Sequence, residues 1–219
     1  MPSNRREQLV RQRFERHAKR YGRNPMTAWV GRHELRAMYP LIPPAPQPNL
    51  TPALDFGCGP GRATAMLLEK GYRVTGYDIS PAMVNLAHDI YGDHPNAFFT
   101  TDREAVQGRW PVIVSLGVMD YYPQGTPLWQ EWEALLASTG TLVMTAPNSA
   151  SPLAWIYTLA SRFSCPARPA SVERLMQEAA SANLRVTAVR AAFPSHLRLG
   201  HTLVLQLQLS QTDSLAKGI

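Results

Sequence analysis

The chain has 219 residues, of which 45% are hydrophobic and 17% are charged, a balance typical of a single globular domain. Two cysteines are too few for a disulfide framework or a zinc site, and we find neither the apolar core of a secretory signal nor an apolar stretch long enough to span a bilayer. The net charge of +6 lies entirely in residues 1–24, which hold eight Arg or Lys side chains and two Glu. We therefore expect a cytoplasmic protein whose basic N-terminal segment contacts an anionic ligand or an anionic membrane surface.

Two helices are predicted in the first forty residues, followed by a proline-rich spacer. Apolar residues recur at helical spacing in the arginine-rich N-terminal segment, and a second helix is predicted over residues 27–42 with Thr27 as its N-cap. The stretch PPAPQPNLTP that follows is incompatible with a helix or a central strand and indicates an extended spacer. We therefore divide the chain into a helical cap with its spacer (1–48), a main domain (49–210) and a flexible tail (211–219).

From Pro52 onward, predicted strands alternate with predicted helices. This alternation is typical of an α/β domain with a mainly parallel sheet covered by helices on both faces. The last two strands have no helix between them, which predicts that they pair antiparallel. The predicted strands are, in chain order, ALDF, YRVTGYD, NAFFTTD, PVIVSLG, GTLVMTAP, LRVTAVRAAF and HTLVLQLQL.

A glycine-rich loop, GCGPG, joins the first of these strands to a helix. Gly57, Gly59 and Gly61 allow ligand atoms to approach the backbone without meeting a Cβ atom, and the helix that follows presents free N–H groups to an anion. Asp78 ends the next strand, where a carboxylate can accept hydrogen bonds from both hydroxyls of a ribose. The spacing therefore predicts an adenosine-like ligand with an anionic group near the glycines.

The same loop disfavours two other classes of nucleotide-binding protein. Its glycines alternate strictly, whereas a dinucleotide-dependent oxidoreductase would have G-x-G-x-x-G, and the chain has no G-x-x-x-x-G-K-[ST] phosphate loop. Glycine turns and strand-end aspartates also occur in proteins that bind nothing, but their combination in this strand order favours a binding site.

Four segments together resemble the class I S-adenosylmethionine-dependent methyltransferases, namely LDFGCGPG, VTGYDIS, FFTTD and VIVSLGVMDYYP. The chain is most similar to the large group that acts on small molecules, the type 11 kind, and the likeness is clear over residues 52–150. It implies the Rossmann-like fold of that family with a seven-stranded sheet. It also implies S-adenosyl-L-methionine as the cofactor, no metal site, and a cofactor-binding methyltransferase domain over residues 49–210.

The resemblance implies which residues contact the cofactor. The glycine loop would lie along the methionine part, which Asp55 would help to position. Asp78 would bind the ribose diol, and Ile79 would pack on the adenine ring. Asp102 would accept a hydrogen bond from the adenine amino group, and Leu116 would line the methyl end. The implied contacts are, in chain order, Asp55, Gly57, Cys58, Gly59, Gly61, Asp78, Ile79, Asp102, Arg103, Leu116 and Gly117.

The residues that bind and activate the acceptor are harder to infer, because a sulfonium methyl group is already activated. The protein must align a nucleophile with it, and an oxygen nucleophile usually needs a base as well. The candidate catalytic residues are Tyr121 and Tyr122, which follow the fourth predicted strand, and His17. Asp120, His196 and His201 are further candidates. Core packing would equally explain one of the tyrosines, and a surface or capping role would explain each histidine.

The N-terminal stretch RQRFERHAKRYGR resembles the lid helix of quinone-pathway and related small-molecule methyltransferases. The resemblance implies that Phe14, His17 and Tyr21 face the active site. An amphipathic helix packed on the sheet, with solvated arginines, is the alternative. Trp155, in the long connection after the fifth predicted strand, is a further candidate for binding the substrate, or an ordinary core aromatic residue.

We therefore expect methyl transfer from S-adenosylmethionine to a small-molecule acceptor that is anionic or lipophilic, with O-methylation favoured over N-methylation. One alternative is a non-catalytic cofactor-binding scaffold or partner subunit of the same fold. The other is an RNA methyltransferase. The neutral charge of the chain beyond residue 24 and the absence of a [DN]-P-P-[YF] motif argue against nucleic acid as the partner.

Overall fold

The computed structural model describes residues 5–18, 25–122, 126–161 and 168–210. Within these residues, seven strands form one sheet in the order β3-β2-β1-β4-β5-β7-β6. The first five strands pair in parallel, and β7 is antiparallel to both β5 and β6. The mainly parallel sheet and the antiparallel pairing of the last two strands are therefore confirmed. The strands are β1 (Pro52–Phe56), β2 (Arg73–Tyr77), β3 (Ala97–Thr100), β4 (Trp110–Ser115), β5 (Leu136–Pro147), β6 (Leu184–Ala192) and β7 (Thr202–Leu209).

Seven α-helices connect and cover these strands in the described part of the chain. They are α1 (Arg5–His17), α2 (Pro25–Met38), α3 (Arg62–Glu69), α4 (Pro81–Tyr91), α5 (Thr126–Leu135), α6 (Pro152–Ser161) and α7 (Val172–Ser181). The predicted N-cap at Thr27 is wrong, because α2 already begins at Pro25, and proline is favoured at the first helical position. The same helix ends at Met38 rather than residue 42, since Pro40 takes part in a tighter 3-10 turn over Tyr39–Leu41.

Alternating side chains of the central strands pack against helices on opposite faces of the sheet. On β4, Val112 and Val114 belong to the core cluster that contains Met38 of α2 and Leu67 of α3. Ile113 belongs to the opposite cluster, which is built around buried aromatic side chains of α5. This period of two places both faces in the core, and it leaves the loops at the carboxyl ends of the parallel strands to form a crevice.

The proline-rich spacer is attached to the turn between α3 and β2. The backbone N–H of Ala45 donates to the carbonyl of Lys70 at 2.9 Å, and that of Asn49 donates to the carbonyl of Gly71 at 2.7 Å. Gly71 has a φ of 86° and follows the C-cap of α3, a position where glycine is favoured. The division of the chain at residues 48 and 49 stays a prediction, and the predicted tail over 211–219 lies outside the described residues.

Helices α1 and α2, the helices of the predicted cap, contact different parts of the fold. Helix α2 contacts β6 and β7, and α1 contacts α4. Within the ranges given above, no helix is long and apolar enough to cross a membrane.

Candidate active site

The glycine loop after β1 folds back onto the end of β2. Gly57, Gly59 and Gly61 have φ values of 74°, 53° and 86°, in the left-handed region that favours glycine. The backbone N–H groups of Gly57 and Cys58 both donate to the carbonyl of Tyr77, at 2.7 and 2.9 Å. The loop therefore ends beside the carboxyl end of β2, as the sequence predicts.

Asp78 is fixed within this loop by two backbone amides. Its Oδ2 accepts a hydrogen bond from the N–H of Gly59 at 2.9 Å, and its Oδ1 accepts one from the N–H of Ser80 at 2.8 Å. The side chain is buried, which raises the pKa of its carboxyl. Since a carboxylate oxygen can accept two hydrogen bonds, each oxygen keeps one position that suits a hydroxyl of a ribose diol.

Asp55, near the end of β1, is a fully buried carboxyl with one unsatisfied oxygen. The Thr64 hydroxyl of α3 donates to its Oδ2 at 2.7 Å, whereas its Oδ1 has no hydrogen-bond partner. Burial raises the pKa of Asp55 to about 7, an effect that hydrogen bonds from Thr64 partly offset. An unsatisfied buried acceptor is costly in a folded protein, so this oxygen marks a position for a hydrogen-bond donor.

Cys58 contributes its backbone rather than its thiol to this site. The side chain is buried, and burial raises the pKa of the thiol well above its ordinary value, with the charges of Asp55 and Asp78 acting in the same direction. The thiol is therefore protonated and unreactive at neutral pH.

The loop after β4 lies directly against the glycine loop. A Cβ atom placed on Gly57 would lie 2.2 Å from Cγ2 of Val118. Gly117 has a φ of 74°, and its N–H donates to the Thr145 hydroxyl of β5 at 2.8 Å. Leu116 is half-buried and packs against the core cluster on the side of α2 and α3. The two loops that the resemblance assigns to the methionine and methyl end therefore meet.

The residues expected around adenine follow β2 and β3. Ile79 is half-buried, and Asp102 is exposed, with its Oδ1 accepting a hydrogen bond from the N–H of Glu104 at 2.9 Å. Arg103 forms an ion pair with Glu131 of α5. Its guanidinium carbon also lies 5.1 Å from the ring centroid of Tyr77. Arg103 is thus tied to α5 and the end of β2.

The two adjacent candidate tyrosines point to different parts of the fold. Tyr121 is buried, and the Phe14 ring of α1 meets it edge-on with a centroid distance of 5.3 Å. The guanidinium carbon of Arg13 lies 5.6 Å from the same ring. Tyr122 packs instead against the core cluster that α5 and α7 share. The structure therefore brings Tyr121 together with α1 and packs Tyr122 on the α5 side of the sheet.

Three other candidates for binding or activating the substrate are His17, Tyr21 and Trp155. His17 belongs to α1, but its side chain is among those not described, and Tyr21 lies outside the described residues. Trp155 of α6 is 55% exposed, and its indole N–H donates to the carbonyl of Ser149 at 2.8 Å. This hydrogen bond ties Trp155 to the loop before α6 and not to Phe14 or Tyr121.

Comparison with known proteins agrees with this geometry. Residues 54–142 match a family model described as a methyltransferase domain. This match supports the class I S-adenosylmethionine-dependent methyltransferase family for the chain. A trans-aconitate 2-methyltransferase from Streptomyces coelicolor is 30% identical over 124 residues, which are 53% of this chain and 40% of that protein. A second trans-aconitate 2-methyltransferase, from Escherichia coli, is 30% identical over 117 residues, which are 50% of this chain and 44% of that protein. The chain thus spans less than half the length of these curated relatives.

Solved structures share the fold of this chain over nearly its whole length. The magnesium protoporphyrin IX methyltransferase of Synechocystis PCC 6803, with bound S-adenosylhomocysteine, superposes with a TM-score of 0.71 at 18% identity, covering 94% of this chain and 100% of that one. The 1,6-didemethyltoxoflavin-N1-methyltransferase of Burkholderia thailandensis gives a TM-score of 0.67 at 20% identity, covering 96% and 92%. The predicted Rossmann-like class I fold is confirmed.

S-adenosylmethionine, the cofactor that the family match supports, fits the crevice of this chain. The glycine loop exposes backbone without Cβ atoms, and the carboxylate of Asp78 is held in one orientation by Gly59 and Ser80. The unsatisfied Oδ1 of Asp55 suits a donor such as the methionine ammonium group. These residues would hold the cofactor through its methionine and ribose parts.

Sequence reasoning missed Glu34, a residue that joins α2 to the sheet. Its Oε1 accepts a hydrogen bond from the Thr202 hydroxyl at 2.8 Å. His201 Nδ1 lies 2.9 Å from the same hydroxyl. Because the one proton of this hydroxyl points to Glu34, Nδ1 of His201 is the donor. No sequence signal links Glu34 to Thr202, since the two positions lie 168 residues apart.

Asp120 is another carboxyl whose pKa is raised. Burial and, to a smaller extent, the charge of Glu34 raise the pKa to about 8, although the charge of Arg13 acts in the opposite direction. Asp120 directly precedes Tyr121, so it belongs to the group of side chains where the cap meets the sheet. We call this group the cap junction; its members are Arg13, Phe14, Glu34, Asp120, Tyr121 and Thr202.

Proposed function

We propose that this protein transfers the methyl group of S-adenosylmethionine to a carboxylate oxygen of a small acceptor bound at the cap junction. The observation that carries the proposal is the proton affinity of Asp120. With a pKa of about 8, this carboxyl is mostly protonated and neutral at pH 7, so it can donate a hydrogen bond to an anion instead of repelling it.

The charges around Asp120 favour an anionic acceptor. The charge of Arg13 lowers the pKa of Asp120 and the charge of Glu34 raises it, and Arg62 lies 3.9 Å from Glu34. With Asp120 neutral, the two arginines favour a carboxylate at this place, in keeping with the excess of cations in residues 1–24.

The bound cofactor supplies an activated methyl group, so little further chemistry is required of the protein. A carboxylate acceptor is already ionised and needs no general base. The residues of the cap junction then bind and orient the acceptor, and the aromatic pair of Phe14 and Tyr121 closes the site toward solvent. Rate enhancement would come from proximity and alignment.

The relatives support this class of acceptor. Trans-aconitate, named for the relatives from Streptomyces coelicolor and Escherichia coli, is a tricarboxylate. Those matches cover about half of this chain, so the identity of the acceptor is part of the proposal.

The proposal is tested by offering the purified protein S-adenosylmethionine with trans-aconitate, with other small di- and tricarboxylates, and with matched alcohols and amines. We expect release of S-adenosylhomocysteine and a base-labile methyl ester only with carboxylates. Methylation of amines or of added RNA would contradict it. Binding of S-adenosylhomocysteine without turnover of any acceptor would favour the scaffold alternative.

A further inference from the structure

Arg62 is the first residue of α3, immediately after the glycine loop, and its guanidinium group reaches across to α2. A Cβ atom placed on Gly31 would lie 1.5 Å from Nη2 of Arg62. Gly31 is buried in the middle of α2, where a glycine costs roughly 0.5–1 kcal/mol relative to alanine. The guanidinium group occupies the space that an alanine side chain would need.

The guanidinium group of Arg62 is held in place, but its hydrogen-bonding capacity is not fully used. Nη2 of Arg62 is buried and has no hydrogen-bond partner. The nearest carboxylate oxygen, Oε2 of Glu34, lies 3.9 Å away, which is too far for a hydrogen bond. Glu34 cannot turn freely toward Arg62, because its other oxygen accepts the hydroxyl proton of Thr202. The ion pair therefore orients the guanidinium group and leaves a buried N–H donor without an acceptor.

A complementary unsatisfied group lies at the same end of α3. Oδ1 of the fully buried Asp55 lacks a donor, while its Oδ2 is bound to Thr64, two residues after Arg62. The positive charge of Arg62 acts on Asp55, so the two groups are electrostatic neighbours. One buried acceptor of negative charge and one buried donor of positive charge match a ligand that carries an ammonium group and a carboxylate.

From this pairing we infer that Arg62, oriented by Glu34 and given room by Gly31, binds a carboxylate in the crevice between the glycine loop and the cap. The inference rests on the proposed methyltransferase function. Two sources can supply the carboxylate, namely the methionine part of the cofactor or the acceptor. A planar guanidinium group suits either, because it can donate two parallel hydrogen bonds to a carboxylate.

Calorimetric titrations of the full chain separate these sources. The variants are Arg62→Met, which removes the guanidinium group, and Gly31→Ala, which displaces it and otherwise favours the helix. The probes are S-adenosylhomocysteine and decarboxylated S-adenosylmethionine, which keeps the ammonium group and lacks the carboxylate. Trans-aconitate is the third probe, titrated in the presence of S-adenosylhomocysteine. Thermal unfolding confirms that each variant is folded.

If Arg62 binds the cofactor carboxylate, both variants lower the affinity for S-adenosylhomocysteine by about ten- to a hundredfold. Both then change the affinity for decarboxylated S-adenosylmethionine by less than about twofold. If it binds the acceptor carboxylate, S-adenosylhomocysteine affinity is unchanged and trans-aconitate binding weakens by a similar factor. Unchanged affinity for both carboxylate probes in folded Arg62→Met overturns the inference. No binding of S-adenosylhomocysteine by the unaltered protein would instead contradict the proposed function itself.

Discussion

The glycine loop and the cap junction are held together by different kinds of contact. In the glycine loop, backbone amides of nearby residues fix the carbonyl of Tyr77 and the carboxylate of Asp78. At the cap junction, side chains from α1, α2, the loop after β4 and the start of β7 meet, as in the bond between Glu34 and Thr202. A site built from backbone depends on which positions are glycine, whereas a site built from side chains depends on tertiary packing. Substitutions that act on only one of these regions can test the contrast.

The largest effect is expected at Gly57, where both conformation and space require glycine. Gly57→Ala places a side chain in the left-handed region, which costs about 1–2 kcal/mol, and drives its Cβ to 2.2 Å from Val118. We expect S-adenosylhomocysteine affinity to fall more than about a hundredfold, a drop of over 2.7 kcal/mol, measured by calorimetry.

Gly117→Ala is the matched variant, because its φ is also 74° but its Cβ would meet no atom within 4 Å. This variant has the strain of a left-handed backbone but no steric clash, so we expect a smaller loss of affinity for S-adenosylhomocysteine. Equal losses in the two variants would show that close packing of the two loops is unimportant.

Asp78→Ala should have the next largest effect. It removes acceptors for the backbone amides of Gly59 and Ser80 and for the ribose hydroxyls. Hydrogen bonds to a charged group contribute roughly 1.5–3 kcal/mol, so cofactor affinity is expected to fall by about ten- to 150-fold in a titration with S-adenosylhomocysteine. Asp102→Ala alters an exposed carboxylate and should cost less; unchanged affinity in Asp78→Ala would refute the role of Asp78.

The pH dependence of turnover tests the cap junction. The pKa of Asp120 is raised to about 8, chiefly by burial, so its carboxyl is neutral below that pH and negative above it. If a neutral carboxyl binds the acceptor carboxylate, turnover at low acceptor concentration falls by up to about tenfold per pH unit above pH 8. Asp120→Asn should remain active, and its turnover should no longer decrease above pH 8.

Asp93→Asn, on an exposed turn, is the control for the loss of one carboxylate. Its turnover should still decrease above pH 8. A rise in turnover through pH 8, together with an inactive Asp120→Asn, would mean that Asp120 is a general base and that the acceptor oxygen is a hydroxyl.

The smallest effect is expected from Phe14→Ala. The edge-on contact with Tyr121 contributes about 0.5–1.5 kcal/mol, so we expect an increase of about two- to tenfold in the KM for the acceptor and no change in S-adenosylhomocysteine affinity. Leu9→Ala changes an exposed residue of the same helix and should leave both constants unaltered. A loss of cofactor affinity in Phe14→Ala would show that α1 is part of the cofactor site.

The contrast also explains what could be predicted from the sequence. The order of strands and helices, the C-terminal glycine of α3 and the start of α4 at Ser80 and Pro81 follow from local patterns of turn residues and alternation. The glycine loop and Asp78 are close in sequence as well as in space, so their spacing predicts their meeting. Thr27 as an N-cap was wrong because a stronger local signal, Pro25, precedes it.

The cap junction could not be predicted in this way. Glu34 and Thr202 carry no local pattern that links them, and their pairing follows only from the packing of α2 on β6 and β7. Adjacent tyrosines at positions 121 and 122 look equivalent in the sequence, but the 3-10 turn over Met119–Tyr121 sends their side chains to different neighbours. The role of Gly31 is likewise hidden, because the group that needs its space lies on another helix.

The buried thiol of Cys58 makes the glycine loop a reporter of its own opening. A protonated, inaccessible thiol reacts with alkylating reagents only when the loop separates from the sheet. The alkylation rate at this position, read by peptide mass spectrometry so that Cys165 is counted separately, therefore gives the frequency of loop opening without an engineered cysteine. A bound cofactor that contacts Asp55 and Asp78 would slow this reaction in proportion to its occupancy.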